Sequence, residues 1–231
     1  MLTKKAKTVK LKIDKVLIKM RLACIVLVPF FAVFSYYDVN AQGLFKSYEK
    51  LSTPEKHWVL THPLAAKKIF KISSLVKDEV KKHQKDTLLD GDVVGGTLDA
   101  FKHTLWMALC AQKIGKKRAL LLGQAHEDGN RLDFLKNGQK KYIGQDSVLS
   151  RMDMLNNQVG AQIGVEYPNL GVDSLTQIVI KNIVEGNCFK VKKNSKRRSL
   201  DKDGNIIDEN KYPGVWNIPK VLIKSNGLGE I

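Results

Sequence analysis

The helical spacing of its apolar residues is the feature that most constrains this fold. Several segments repeat apolar side chains every three or four positions, with capping or stop residues between them. The spacing predicts helices over about 44–51, 55–60, 61–82, 97–113, 116–127, 147–164 and 173–186. Gly115 leaves so short a connection that its two flanking helices form an antiparallel hairpin. We therefore expect an all-α fold, a bundle of about five to six helices.

The chain changes character after Gly186. A basic run, Lys190–Arg198, is followed by Asp203-Gly204, a dipeptide that favours a tight turn between extended segments. These residues predict a small β-hairpin across about Arg197–Glu209, with 212–231 as a tail on the helices. The expected organisation is a helical domain over 42–189 and a basic hairpin with a C-terminal extension over 190–231.

Residues 1–41 are predicted to be a secretory signal peptide. The apolar run Leu22–Tyr37 follows Lys19 and Arg21 and ends near small residues that suit cleavage after Ala41. Met20 is an alternative start that would give a shorter basic flank. An uncleaved anchor is the competing interpretation, but a membrane-spanning helix needs about 20 apolar residues. We expect an exported protein, periplasmic or secreted, with no transmembrane helix once the signal is removed.

Positive charge bounds the choice of partners. The formal charge is +16, and residues 1–41 contain eight of the 39 basic and two of the 23 acidic residues, so the remainder carries +10. Such a surface favours anionic envelope components or lipid head groups, although it also serves solubility alone. Nucleic acid is not expected as a partner, because an exported chain does not meet it. The basic run also has only one neighbouring aromatic residue, Phe189, on which a base could stack.

Cys110 and Cys188 are the two cysteines that follow the signal peptide. An oxidising compartment would permit one disulfide between them. Cys110 lies in a helical apolar segment, where a buried free thiol is equally ordinary. Both states remain open at this level.

Three polar clusters interrupt the apolar helices where a plain core would not place them. Asp99 and His103 are four residues apart and share a helix face, so the carboxylate can orient the imidazole. The next helix ends in His126-Glu127. The third cluster has Asp153 and Asn157 four apart, with Asn156 beside them; mid-helix asparagines cost stability unless they form hydrogen bonds. Gly160 in the same helix predicts close packing of another helix.

Gathered together, these clusters supply two imidazoles, several carboxylates and an amide. Such a set suits one divalent metal ion, zinc, manganese or iron, held by His103, His126 and Asp153. Its bound water would ionise near neutral pH and attack an envelope or lipid-like ester or phosphoester. The predicted catalytic residues are His103, His126, Glu127 and Asp153, and the predicted substrate-positioning residues are Asp99, Trp106, Asn156 and Asn157.

Two alternatives stand beside this metal-dependent hydrolase. Without metal, His103 or His126 could act as general base and Glu127 as general acid. Alternatively the chain is not an enzyme: the cluster is a buried hydrogen-bond network that specifies helix packing, and the basic surface binds anionic polymers.

The same clusters carry a family resemblance. Asp99-Ala-Phe-Lys-His103-Thr-Leu-Trp106, Ala125-His126-Glu127 and Met152–Gly160 resemble an uncharacterised bacterial domain of exported and toxin-associated proteins, whose pattern is similar to AF[RK]HxxW … AHE … MDxxNNxxG. The resemblance covers about residues 60–186 and excludes the C-terminal extension. It implies that the motif residues act together, but it implies no particular activity; those residues are His103, His126, Glu127, Asp153, Asn156 and Asn157.

Overall fold

A computed structural model describes residues 41–138 and 144–229. Its helices are α1 (Ala41–Glu49), α2 (Thr53–Thr61), α3 (Pro63–His83), α4 (Thr97–Ile114), α5 (Lys116–Asn137), α6 (Ser147–Glu166) and α7 (Val172–Val184). Strands β1 (Phe189–Val191) and β2 (Leu222–Lys224) follow, with a 3₁₀ turn at Glu209–Lys211 between them. Helix α1 belongs to an N-terminal unit that ends at Lys50, and the other elements form a second compact unit. The predicted all-α class is confirmed.

The predicted signal peptide lies outside the described residues except for Ala41. Among the helices that are described, none combines the length and the apolar character needed to cross a bilayer.

Helix α4 is the central element of the second unit. It is apolar around most of its circumference, and Leu98, Phe101, Leu105 and Met107 have no exposed surface. A helix that is hydrophobic all round must be surrounded by others, and α4 contacts α3, α5, α6 and α7. Except for Lys113 in the last turn, the polar side chains on α4 are therefore buried or on the core boundary.

The backbones of helices α4 and α6 approach each other closely at two glycines, where any larger residue would clash. A Cβ atom on Gly160 would overlap the carbonyl oxygen of Thr104, and one on Gly164 would overlap that of Ala108. The close packing predicted from Gly160 is confirmed. These two glycines bring the polar faces of α4 and α6 into contact.

The start of α4 is capped by a side chain from the preceding loop. The N-cap is Gly96, and the capping group is the carboxylate of Asp90, which accepts N–H bonds from Thr97 (2.8 Å) and Leu98 (3.3 Å). A Cβ on Gly96 would collide with Asp92 and Asp90. The loop thus folds back over the helix N-terminus, which sequence spacing alone does not reveal.

Helix α5 was predicted over 116–127, and its predicted end is wrong because the helix continues to Asn137. The helix passes through Asp128-Gly129-Asn130 without a break. The glycine is a packing residue here, because a Cβ at Gly129 would overlap the side chain of Ser52. Ser52 is the N-cap of α2. A small residue at 129 therefore lets the start of α2 lie against the middle of α5.

The predicted antiparallel pair of strands in the C-terminal region is confirmed, but it forms from other residues than those predicted. Strands β1 and β2 pair antiparallel, with Lys190 opposite Ile223. Region 197–209, where the hairpin was predicted, contains the isolated bridge Leu200–Ile206 around a turn. Burial explains the difference: Val191 and Leu222 pack with side chains of α6, whereas most residues of 194–206 are exposed. Regular pairing forms where apolar side chains leave water.

Cys110 and Cys188 are both free and buried, so no disulfide joins them. The Cys188 thiol lies 3.5 Å from the Thr104 hydroxyl. Burial raises the pKa of Cys188 to about 11, and it raises that of Cys110 even further. Both thiols therefore stay protonated at neutral pH and behave as packing groups.

Candidate metal and acid–base site

The three polar clusters meet between α4, α5 and α6. His103 Nε2 lies 3.4 Å from Asp153 Oδ2 and 3.7 Å from Asp99 Oδ1. The ring of His126 is 6.3 Å from the ring of His103, measured between centroids. Residues that are up to 54 positions apart in the chain thus surround one small volume.

Helical spacing and small residues place these groups. Asp99 and His103 share a face of α4, and Asp153 and Asn157 share the facing side of α6. On α5, a Cβ at Gly123 would come within 2.8 Å of the Asn157 amide nitrogen. Glycine at this position lets α5 close the third side of the site.

Several buried polar atoms of the site have no hydrogen-bond partner. They are His103 Nδ1, Asp153 Oδ1, Glu127 Oε1 and both amide atoms of Asn157. Unpaired buried polar atoms are rare in folded proteins, and each costs about 1–3 kcal/mol. Five of them in one cluster indicate a ligand, an ion or ordered water as the missing partner.

Burial and neighbouring charges shift the pKa values of the acidic groups and of His103 in opposite directions. Burial and the neighbouring carboxylates Asp99 and Glu127 raise the pKa of Asp153 well above its ordinary value. Burial also raises the pKa of Glu127, although His126 opposes it. Burial and the Lys102 charge hold the pKa of His103 well below its ordinary value. At neutral pH His103 is therefore a neutral imidazole, able to act as a base or as a metal ligand.

One set of three side chains lies close enough together to hold a metal ion. Asp99, His103 and Asp153 are all buried, and one donor atom from each lies within 4.8 Å of the others. The set predicted from the sequence was His103, His126 and Asp153, so the two sets share His103 and Asp153. His126 directs its Nδ1 to Glu55 Oε1, at 2.9 Å, so the ring is oriented by α2.

Of the three side chains Asp99, His103 and Asp153, the Asp99 carboxylate is held by the most direct hydrogen bonds. Its Oδ2 accepts the Gly95 N–H at 2.7 Å, and its Oδ1 accepts a bond of 2.5 Å from Lys102 Nζ. These contacts fix the carboxylate beside His103. Lys102 also acts electrostatically on Asp153 and Glu127, so it is part of the charge balance of the site.

Glu55 is a site residue that sequence reasoning missed. It forms a capping box with Ser52 at the start of α2, which a Ser-x-x-Glu pattern does predict. Its second oxygen bonds His126, which is 71 residues away. No local signal could reveal that second role, because it depends on α2 packing against α5.

The predicted positioning residues have different contacts. The Asn157 side chain lies beside His103 and favours the charged imidazole. Trp106 meets His126 edge to face, with centroids 5.8 Å apart, and donates its indole N–H to Ser73. Asn156 bonds the backbone N–H and carbonyl of Phe189, so its amide holds β1 in place instead of facing the site.

Replacing Glu55 with Gln should lower the pKa of His126. Burial lowers that pKa, but the hydrogen bond to Glu55 and the charges of Glu127 and Glu55 outweigh burial and raise it. Burial raises the pKa of Glu55, but the bond to His126 and the hydrogen bonds from Ser52 together outweigh burial and lower it. The pair therefore stabilises the fold above the ordinary pKa of Glu55 and below that of His126. This contribution falls as pH rises through the raised His126 pKa or drops through the lowered Glu55 pKa.

NMR titration of the His126 ring measures this effect. The matched control is Glu166→Gln, which alters a solvent-exposed carboxylate that accepts a bond from Gln162. An unchanged His126 pKa in Glu55→Gln would mean that Glu55 does not hold this imidazole.

A family model described as a domain of unknown function (DUF6973) matches residues 56–187. This range contains Asp99, His103, His126 and Asp153, and it agrees with the resemblance to an uncharacterised domain. Glu55 precedes the match by one residue. No curated protein and no solved structure matches the chain.

Proposed function

We propose that this chain, which belongs to the DUF6973 family of domains of unknown function, binds one divalent metal ion and uses it to hydrolyse an ester or phosphoester. Asp99, His103 and Asp153 would bind the ion. Glu127 would act as general acid, and His126 would stand at the entrance to the site. Export to the periplasm or the medium is part of the proposal, with envelope or lipid-like molecules as the substrate class.

The separation between His103 and Asp153 supports this proposal most strongly. At 3.4 Å, the imidazole nitrogen and the carboxylate oxygen do not form a good hydrogen bond. Asp99 Oδ1 lies 3.7 Å from the same imidazole nitrogen, so an ion between the three groups would supply the bonds that they do not make to one another. The unpaired Asp153 Oδ1 beside them supports the same interpretation. Imidazole with carboxylates is a donor set for zinc, manganese or iron.

The chemistry follows from the charges. An ion held by Asp99, His103 and Asp153 would supply a water that ionises near neutral pH, and this would be the nucleophile for the carbonyl carbon or phosphorus of the substrate. The bond to the leaving oxygen then breaks, and this oxygen takes the proton of Glu127, whose pKa is raised by burial. The proton that the water lost restores Glu127. The products are an acid and an alcohol, with one water consumed.

Replacing Asp153 with Asn should lower metal affinity by at least about 100-fold. The same change should stabilise the metal-free protein by about 1 kcal/mol, because the raised pKa shows that the ionised carboxylate is disfavoured there. Because the ion needs the deprotonated carboxylate, affinity in the unaltered protein should rise as pH increases through the raised pKa of Asp153. Metal content by mass spectrometry and thermal unfolding with and without chelator measure these effects.

The matched control is Asp78→Asn, which changes an exposed carboxylate paired with Lys81 on α3. It should leave both metal content and chelator sensitivity unchanged. A protein without metal after reconstitution with zinc, manganese and iron would contradict the proposal.

Burial of the site favours a second candidate function, a non-catalytic module. Asp99, His103, Glu127 and Asp153 are all buried. A surface groove elsewhere is lined by Lys190, Lys192, Lys193 and Arg197 among other residues, and it could accept an anionic polymer. Lys193 and Arg197 already bond the 90–94 loop, which weakens this alternative. Under it, Asp153→Asn would destabilise the fold and chelator would change nothing.

A further inference from the structure

The exposed charges of the site differ in sign from the buried ones. The Lys102 and His126 side chains are 42% and 37% exposed. The carboxylates beside them are covered: the Asp99, Asp153 and Glu55 side chains are 6%, 12% and 16% exposed. A molecule that approaches from solvent therefore meets two basic side chains before it meets an acid.

Both basic side chains lie next to the proposed metal ligands. Lys102 Nζ is 2.5 Å from Asp99 Oδ1, and the ammonium group has further N–H donors beyond that one bond. His126 gives its Nδ1 to Glu55, which leaves Nε2 as the ring nitrogen that a ligand can reach. The edge of Trp106 packs on the same ring and helps to fix its orientation.

We propose that the substrate is a phosphate ester whose anionic oxygens are bound by Lys102 and His126. This inference rests on the proposed function and narrows it from esters in general to phosphoesters. A neutral ester would gain little from two cationic donors at the entrance. A phosphate group would gain charge-assisted hydrogen bonds from both, and an ion held by Asp99, His103 and Asp153 would offset the charge of the buried carboxylates.

Inorganic phosphate is the first probe, titrated calorimetrically into the metal-loaded protein. We expect Lys102→Met to weaken phosphate binding about tenfold, which corresponds to about 1.4 kcal/mol. His126→Gln should have a similar effect, and it leaves the Lys102–Asp99 pair intact if the first variant folds poorly. The matched control is Lys113→Met, in the last turn of α4, which should bind phosphate normally.

Hydrolysis provides the second readout. The protein should hydrolyse p-nitrophenyl phosphate, and Lys102→Met should slow this reaction. The rate of hydrolysis of the neutral p-nitrophenyl acetate should be the same with and without Lys102. Vesicles of phosphatidic acid in phosphatidylcholine, compared with glycerol phosphate in solution, distinguish a lipid phosphate from a free one. Cleavage in one arm alone identifies the source of the substrate.

The outcomes separate this inference from the proposed function. If no metal binds, the proposed function fails. If metal binds but phosphate does not, or if Lys102→Met and His126→Gln bind it as the unaltered protein does, only the phosphoester inference is overturned.

Discussion

Replacing Gly160 with Ala is expected to destabilise the fold by about 2 kcal/mol. The new methyl group would overlap the backbone carbonyl oxygen of Thr104, and backbone cannot rotate away as the end of a side chain can. Overpacking of this kind costs about 1–3 kcal/mol, and helix propensity returns up to about 1 kcal/mol. We place the result at the upper end because α4 is packed on all sides. The unfolding temperature should fall by about 4–8 °C.

The same substitution should also weaken the proposed metal site. His103 lies on α4 and Asp153 on α6, so separating the two helices lengthens the 3.4 Å distance between their donor atoms. We expect lower metal affinity together with the lower unfolding temperature.

A suitable control is Gly171→Ala, at the N-cap of α7. A Cβ there has no neighbour within 4 Å and the residue has a negative φ, so the change should cost less than about 1 kcal/mol. Equal stability of the Gly160 and Gly171 variants would mean that α4 and α6 can separate without cost.

Replacing Lys220 with Met is expected to cost about 3–5 kcal/mol. Lys220 Nζ bonds Asp146 Oδ2 at 2.8 Å and Glu209 Oε1 at 2.9 Å, and the Lys220 and Asp146 side chains are 3% and 0% exposed. Removing the ammonium group takes away the positive charge that Lys220 places beside the buried Asp146 carboxylate. Asp146 also caps α6 by accepting the Val148 and Leu149 N–H groups. The C-terminal extension is thus joined to the helix that carries Asp153.

Denaturant unfolding of Lys220→Met measures this cost. Lys202→Met alters an exposed lysine of the same extension and should be nearly neutral. The double change Asp146→Asn with Lys220→Met should recover part of the loss, because it removes both charges together. A Lys220→Met protein as stable as the Lys202 variant would show that the buried pair does not hold the extension.

Local signals in the sequence located most of the helices. Pro63 begins α3, Asp146 caps α6 and Gly115 separates α4 from α5, because each acts on its own few residues. The errors involve residues whose role comes from elsewhere in the chain. Gly129 accommodates Ser52, and Asp90 caps a helix that begins seven residues later.

The sequence by itself determined that the fold is helical and that His103, His126, Glu127 and Asp153 are unusual, because spacing along a helix fixes which residues share a face. Only the tertiary structure showed that Asp99 and Asp153 lie on either side of His103, and that Glu55 orients His126. It also showed that Asn156 holds β1. These partnerships join different helices, and they depend on how closely Gly123 and Gly160 let the helices approach. Distances between helices are set by packing, which no local pattern encodes.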